Sequence, residues 1–317
     1  MRSRHSRYFN VTPWVAEALT NERWFGDGSP TWTDAETSQQ AEDRRLKNVR
    51  FLKKHGGADP NTLNLQERVY RAIGERLESC DPGSRCLSGA CPECNRALQR
   101  FFVSECDTLL KTRFAHCQET VAVSLVYVMA DYLDVVSLES MQRNTKRLLR
   151  NAGVQFAFGG IDLSFNQDGE NSDAWAFQLW LIVPTSFPEV WSQRLRNLYT
   201  RNDRIKRPIL IKPFDGNLEG LAYALKTDFQ RRVNYTQEKV VNGEKRICQN
   251  TSNQPLRVAE RLKLYPFLDR VGLSARIFLL GARPTRTESG ISIVKLGGNS
   301  ENSESAETPE LPSKVPS

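Results

Sequence analysis

The stretch FGGIDLSFNQDGENSDAWAFQLWLIV, running from Phe158 to Val183, decides how the chain is read. Its two ends are apolar, and the polar run Asn166-Gln-Asp-Gly-Glu-Asn-Ser172 separates them. That pattern predicts two strands, Val154–Phe165 and Trp175–Val183, joined by a turn. Upstream, Thr120–Met129 (TVAVSLVYVM) is rich in β-branched residues and predicts a further buried strand. Between them, Ser137–Asn151 predicts a helix with Met141, Leu148 and Leu149 inward, stopped by Gly153. Downstream, Ser186 and Glu189 have capping-box spacing and open a helix carrying Trp191 and Leu195. A short strand at Ile209–Lys212 and a helix at Leu218–Phe229 follow. In Lys239-Val-Val-Asn-Gly-Glu-Lys245, Asn-Gly supplies the positive φ angles of a two-residue hairpin turn. A helix around Leu256–Val271 and a strand at Ala275–Gly281 complete the pattern. The expected class is α+β, an antiparallel central sheet with flanking helices, preceded by a cysteine-rich zinc module.

Working outward, residues 1–60 are mixed and polar, with breaks at 26–30 and 56–60, and are expected to be loosely structured. Residues 61–118 form a helical, cysteine-rich module, with Leu65, Val69, Ile73 and Leu77 on one helix face. Residues 119–288 form the α/β domain, and residues 289–317 a disordered acidic tail. The longest apolar runs are about nine residues against the ~20 a spanning helix needs, so no membrane role is expected. No apolar stretch follows the basic start, Met1 to Arg7, so no secretory leader is read.

The net charge is +7, and it is unevenly spread. Ten basic residues face four acidic ones between Trp191 and Arg232, which favours a polyanionic partner, nucleic acid first. Arg194, Arg196, Arg201, Arg204, Arg276 and Arg283 are the candidate phosphate contacts.

Seven cysteines, an odd count, argue for a reducing cytoplasm, where clustered thiols are metal ligands more often than disulfides. Cys80, Cys86, Cys91 and Cys94 lie within fifteen residues, and Cys91-Pro-Glu-Cys94 has the bite of a zinc knuckle. Four thiolates leave no open coordination position, so the site would be structural. Cys106, His116 or Cys117 could replace Cys80 as the fourth ligand.

In Asn217-Leu-Glu-Gly-Leu-Ala-Tyr-Ala-Leu-Lys226, a helical reading puts Tyr223 and Lys226 about 60° apart on the polar side. A phenol beside an ammonium can attack phosphorus, because the cation stabilises both the phenolate and the phosphate. A partly exposed Tyr over a surface Lys is the bland alternative.

The order of these parts resembles the rolling-circle replication initiators of plasmids, members of the His-hydrophobic-His endonuclease superfamily. The likeness covers about residues 80–285 and rests on the cysteine knuckle, Phe158–Phe165, Trp175–Val183 and Tyr223-Ala-Leu-Lys226. It implies that Asp162 matches the family's acidic metal ligand, Tyr223 its nucleophile and Lys226 the companion cation. It also implies DNA, single-stranded or hairpin, as partner, with replication proteins beside it. Where the family has two histidines, this strand has Gln178-Leu179-Trp180. Gln178 can offer an oxygen to Mg or Mn, but Trp180 cannot bind a metal. The expectation is a replication-initiator-like DNA-binding protein with weak or no endonuclease activity. The alternatives are a metal-dependent nickase using Tyr223 and a non-enzymatic zinc protein that binds other proteins.

Overall fold

The computed structural model describes residues 13–57, 63–117, 119–167, 173–185, 188–199, 201–241 and 244–296. Three long strands, β1 (Glu119–Ala130), β2 (Ala157–Gln167) and β3 (Ala174–Thr185), form the centre of a curled antiparallel sheet. β3 lies between β1 and β2, and β4 (Ile209–Pro213) extends the sheet beyond β1. These are the strands the sequence pattern predicts, with ends moved by at most three residues. The turn residues 168–172, the capping residue Ser186, the hairpin tip Asn242-Gly243 and the tail beyond Leu296 lie outside the described residues.

The outer edge of β2 is forked. Its first residues, Ala157–Gly160, pair antiparallel with β7 (Ile277–Leu280). Its last three, Phe165–Gln167, pair in parallel with β5 (Gln230–Val241), which continues antiparallel into β6 (Glu244–Pro255). The expected hairpin is present as β5 and β6, whose strands are twelve residues each. Between the two pairings, Ile161–Ser164 has no strand partner on that edge among the described residues. Arg276 fills part of the gap by donating from Nε to the Ile161 carbonyl at 3.1 Å.

β2 is buried along both faces as far as Ser164. Odd positions Ile161 and Leu163 face hydrophobic neighbours, whereas even positions Gly160, Asp162 and Ser164 share a face with Gln178 of β3. A polar face under cover is the feature that singles out the site. Helix α4 (Pro92–Arg113) covers this side: Phe102 meets Phe158 at 6.3 Å, and Gln99 donates to the Ala222 carbonyl at 2.8 Å. Ala222 belongs to α7 (Leu218–Tyr223). Helix α8 (Val258–Val271) packs on the opposite face, with Phe267 edge-on to Phe177 at 6.1 Å. Helix α5 (Leu138–Ala152) is capped by Ser137 and ended by Gly153, whose φ of 102° suits glycine. It also lies opposite Asp162, because its Lys146 stands over Phe278, the strand partner of Gly159. Helix α6 (Pro188–Leu198) packs on α5. No described helix is long and apolar enough to cross a membrane.

Three expectations need correction. Residues 13–57 are not loosely structured: α1 (Pro13–Ala18) and α2 (Ser38–His55) pack into the core, with Val15, Trp24 and Leu52 buried. A Thr37–Gln40 capping box opens α2, and Arg96 anchors the preceding loop by bonding Glu36, Phe25 and Gly26 carbonyls. One hydrophobic cluster runs from this segment through the cysteine loop to the sheet, so the cysteine module shares its core with the α/β part. Finally, the ordered chain continues past residue 289, because β9 (Gly290–Lys295) pairs with β8 (Ala282–Thr287) and its Ile293 N–H bonds Glu105 of α4.

Candidate metal centre and phosphate site

The cysteine loop connects α3 (Leu65–Glu78) to α4. Cys91 is the N-cap of α4, Pro92 starts it, and Cys94 follows one turn on, so both thiols project from the same side. Cys80 and Cys86 come from the loop itself, where the Cys86 N–H donates to the Cys80 sulfur at 3.4 Å. The four sulfurs lie within 4.8 Å of one another, with Cys80–Cys94 at 3.6 Å and Cys86–Cys94 and Cys80–Cys91 at 3.7 Å. A tetrahedron of sulfurs around zinc at ~2.3 Å has edges of about 3.8 Å. The donor set therefore fits a structural metal such as zinc. Shared sulfur hydrogen bonds hold Cys80 well below the usual thiol range and Cys86 and Cys94 above it, while burial pushes Cys91 up. So crowded a set ionises together only around a cation. Cys80 is thus the fourth member, and Cys106, His116 and Cys117 are not part of the cluster. Ser88 and Arg76 both bond Asp269 of α8 at 2.6 Å, which staples this loop to the α/β part.

On the polar face of the sheet, Asp162, Gln178, Tyr223 and Lys226 come together. The helix expected over Leu218–Phe229 is shorter, ending at Tyr223. Beyond it the chain tightens into i→i+3 bonds, Leu225 N–H to Ala222 and Lys226 N–H to Tyr223. Residues three apart are eclipsed in such a turn, so Lys226 lies over the Tyr223 ring, with Nζ 5.6 Å from its centroid. The turn sits directly on β2. A Cβ at Gly160 would stand 2.0 Å from the Ala224 carbonyl oxygen, so only glycine admits this approach.

The outcome is an ion pair, with Lys226 Nζ 2.8 Å from Asp162 Oδ2. Asp162 is 1% exposed, and neither of its oxygens accepts a well-directed hydrogen bond among the described residues. Arg232 of β5 stands 3.9 Å from the same carboxylate and donates to the Tyr223 hydroxyl at 3.4 Å. Gln178 donates its amide to Ser124 at 2.7 Å. Trp180 meets the Tyr223 ring at 4.9 Å and donates its indole N–H to the Gly220 carbonyl. Trp180 therefore packs against the tyrosine as a structural wedge.

Arg276 corrects the sequence reading most sharply. It was expected on the DNA-binding surface, but it is 1% exposed and bonds the Ile161 and Lys226 carbonyls and Asn95. Burial lowers its pKa to about 10, opposed by the Asp162 charge, so it stays cationic at neutral pH. It is a strut joining the fork, α4 and the Tyr223–Lys226 turn. Arg276→Ala should lose on the order of 3 kcal/mol of stability by stranding those buried acceptors, read as a fall in denaturant midpoint. A midpoint within error of wild type would show that the fork does not depend on it.

The remaining arginines are exposed and are not gathered around Asp162. Arg194 and Arg196 lie on α6, on the far side of the sheet, and Arg204 pairs with Asp131 at 2.9 Å. Arg201 is in the loop after α6, and Arg283 is on β8. Sequence reasoning missed Arg232 and Ser124. The adjacent pair Arg231-Arg232 before a hairpin was the available signal. Comparison with known proteins finds no matching family model, no matching curated protein and no matching solved structure.

Proposed function

We propose that this chain is a DNA-binding protein of replication-initiator type that holds a backbone phosphate beside Tyr223 without cleaving it, and that its four cysteines carry a structural zinc. One observation supports the phosphate reading above others: a single buried carboxylate, Asp162, is surrounded by Lys226, Arg232 and Arg276. Three cations against one anion favour an incoming phosphate oxygen. A divalent Mg or Mn ion would have to displace Lys226 from Asp162 and draw its further ligands from neutral groups such as Gln178 and the Ser124 and Tyr223 hydroxyls.

The chemistry follows from that balance. Lys226 and Arg232 supply charge-assisted bonds to a phosphodiester, and Arg232 orients the Tyr223 hydroxyl. A tyrosine hydroxyl is a weak nucleophile until a base or metal activates it, and the carboxylate that could serve is already neutralised by Lys226. Binding without bond breaking is the expected behaviour.

The test is a labelled single-stranded or hairpin oligonucleotide, with and without Mn²⁺, resolved on native and then denaturing gels. A native shift that weakens steeply with salt is expected, with no covalent adduct. Tyr223→Phe should change affinity by less than about twofold, since it removes one neutral hydroxyl. A protease-sensitive adduct lost in Tyr223→Phe would establish the nickase alternative. Absence of any shift would leave the zinc protein-interaction alternative.

A further inference from the structure

Thr227, Asp228 and Phe229, the three residues after Lys226, line a cleft of about 470 Å³ whose other walls include α2 and α8. That volume suits a small ligand. Its cations differ in their commitments. Arg44 is held by Glu36 at 2.6 Å and by Thr227 at 2.9 Å. Lys47 and Arg261 have no carboxylate partner among the described residues; Arg261 bonds the Tyr265 hydroxyl at 3.2 Å and Asn48 at 3.4 Å, and its guanidinium stacks on the Phe51 ring at 3.8 Å. Asp228, the one carboxylate among the lining residues, stands 3.9 Å from Arg44. The cleft therefore offers two unneutralised cations.

It also offers an aromatic surface. The half-buried Phe229 ring lines the cleft and carries the buried Arg276 guanidinium at 4.9 Å. An aromatic plane beside unpaired cations suits a planar base joined to a phosphate. We propose that this cleft binds a nucleoside phosphate, with the base against Phe229 and the phosphate on Lys47 and Arg261. Two sources carry that chemistry, a free nucleotide or one unit of a single strand. The strand source rests on the DNA-binding reading above. Lys226 and Phe229 are three residues apart, at most about 10 Å of chain, so one strand spans both the phosphate site and the cleft.

Calorimetric titration of the full chain with deoxyadenosine monophosphate, with inorganic phosphate and with a ten-nucleotide single strand tests this. Lys47→Glu and Arg261→Gln, each checked by melting temperature, should weaken the bound probe about tenfold, and phosphate alone should bind more weakly than the nucleotide. Lys47 is exposed, so Lys47→Glu still decides the matter if Arg261→Gln fails to fold. Binding of the mononucleotide assigns the free source, and binding of the strand alone assigns the strand unit. If the strand binds wild type and both variants equally and the mononucleotide does not bind, the cleft proposal fails while DNA binding stands. If the mononucleotide binds and the strand does not, the DNA reading fails while the cleft stands. If neither binds, both are overturned.

Discussion

Purified protein should contain about one zinc per chain, and stripping it should cost several kcal/mol of stability. Sulfur separations of 3.6–3.7 Å already match the edges of a zinc tetrahedron. Small zinc domains draw on the order of 10–16 kcal/mol from the metal, but this loop also has a hydrophobic core beneath it, so the loss should be smaller. A loss of about 4 kcal/mol is still a large share of the 5–15 kcal/mol typical of a folded domain. It should lower the melting temperature by roughly 10 °C. Cys91→Ser should release the metal and reproduce the effect, whereas Cys117→Ser, at a half-buried position outside the cluster, should do neither. Because Ser88 and Arg76 join the loop to α8 through Asp269, the transition should stay cooperative, with near- and far-ultraviolet signals lost together. Metal-free protein with an unchanged transition after chelation would dismiss the zinc centre.

Local chemistry explains what could be read in the sequence. Thr120–Met129 and Trp175–Val183 are legible because β-branched and aromatic runs of that length have few other uses. The hairpin is legible because Asn-Gly specifies its own turn. Helix α2 was missed because only Ala41, Val49 and Leu52, with the stem of Arg45, make its buried stripe in an otherwise charged stretch. Its stability comes from packing on α3 and α4, which a single segment does not reveal. The same limit applies to the site. Asp162, Gln178, Tyr223 and Lys226 are named as candidates through the order of motifs, whereas Arg232 reaches Asp162 only because three residues of β5 pair with β2. Arg276 looked like a surface cation because its composition window is basic. Its burial depends on the forked edge of β2, more than 100 residues away in sequence, as its bond to Ile161 shows.

Lys226→Ala should be the most damaging single change on the sheet face. It leaves the Asp162 carboxylate buried, with Arg232 at 3.9 Å as the nearest remaining ion-pair partner. Removing one member of a buried pair costs about 3–5 kcal/mol, because the survivor keeps its desolvation penalty. Asp162→Asn should cost less, since Lys226 is partly exposed and can turn toward water, and Arg276 remains bound to carbonyls. Combining Lys226→Met with Asp162→Leu should recover much of the loss, because the pair has little net worth once both charges are gone. These three variants separate the destabilisation from the binding role. If the site takes phosphate, Asp162→Asn removes its one negative charge and should tighten single-strand binding severalfold at low salt. If Asp162 instead holds a divalent ion against the strand, the same change should weaken binding in Mn²⁺. Denaturant unfolding and a salt-matched titration measure the two effects independently. A Lys226→Ala loss below about 1 kcal/mol would mean the ammonium does not neutralise the carboxylate, and the phosphate reading would lose its footing.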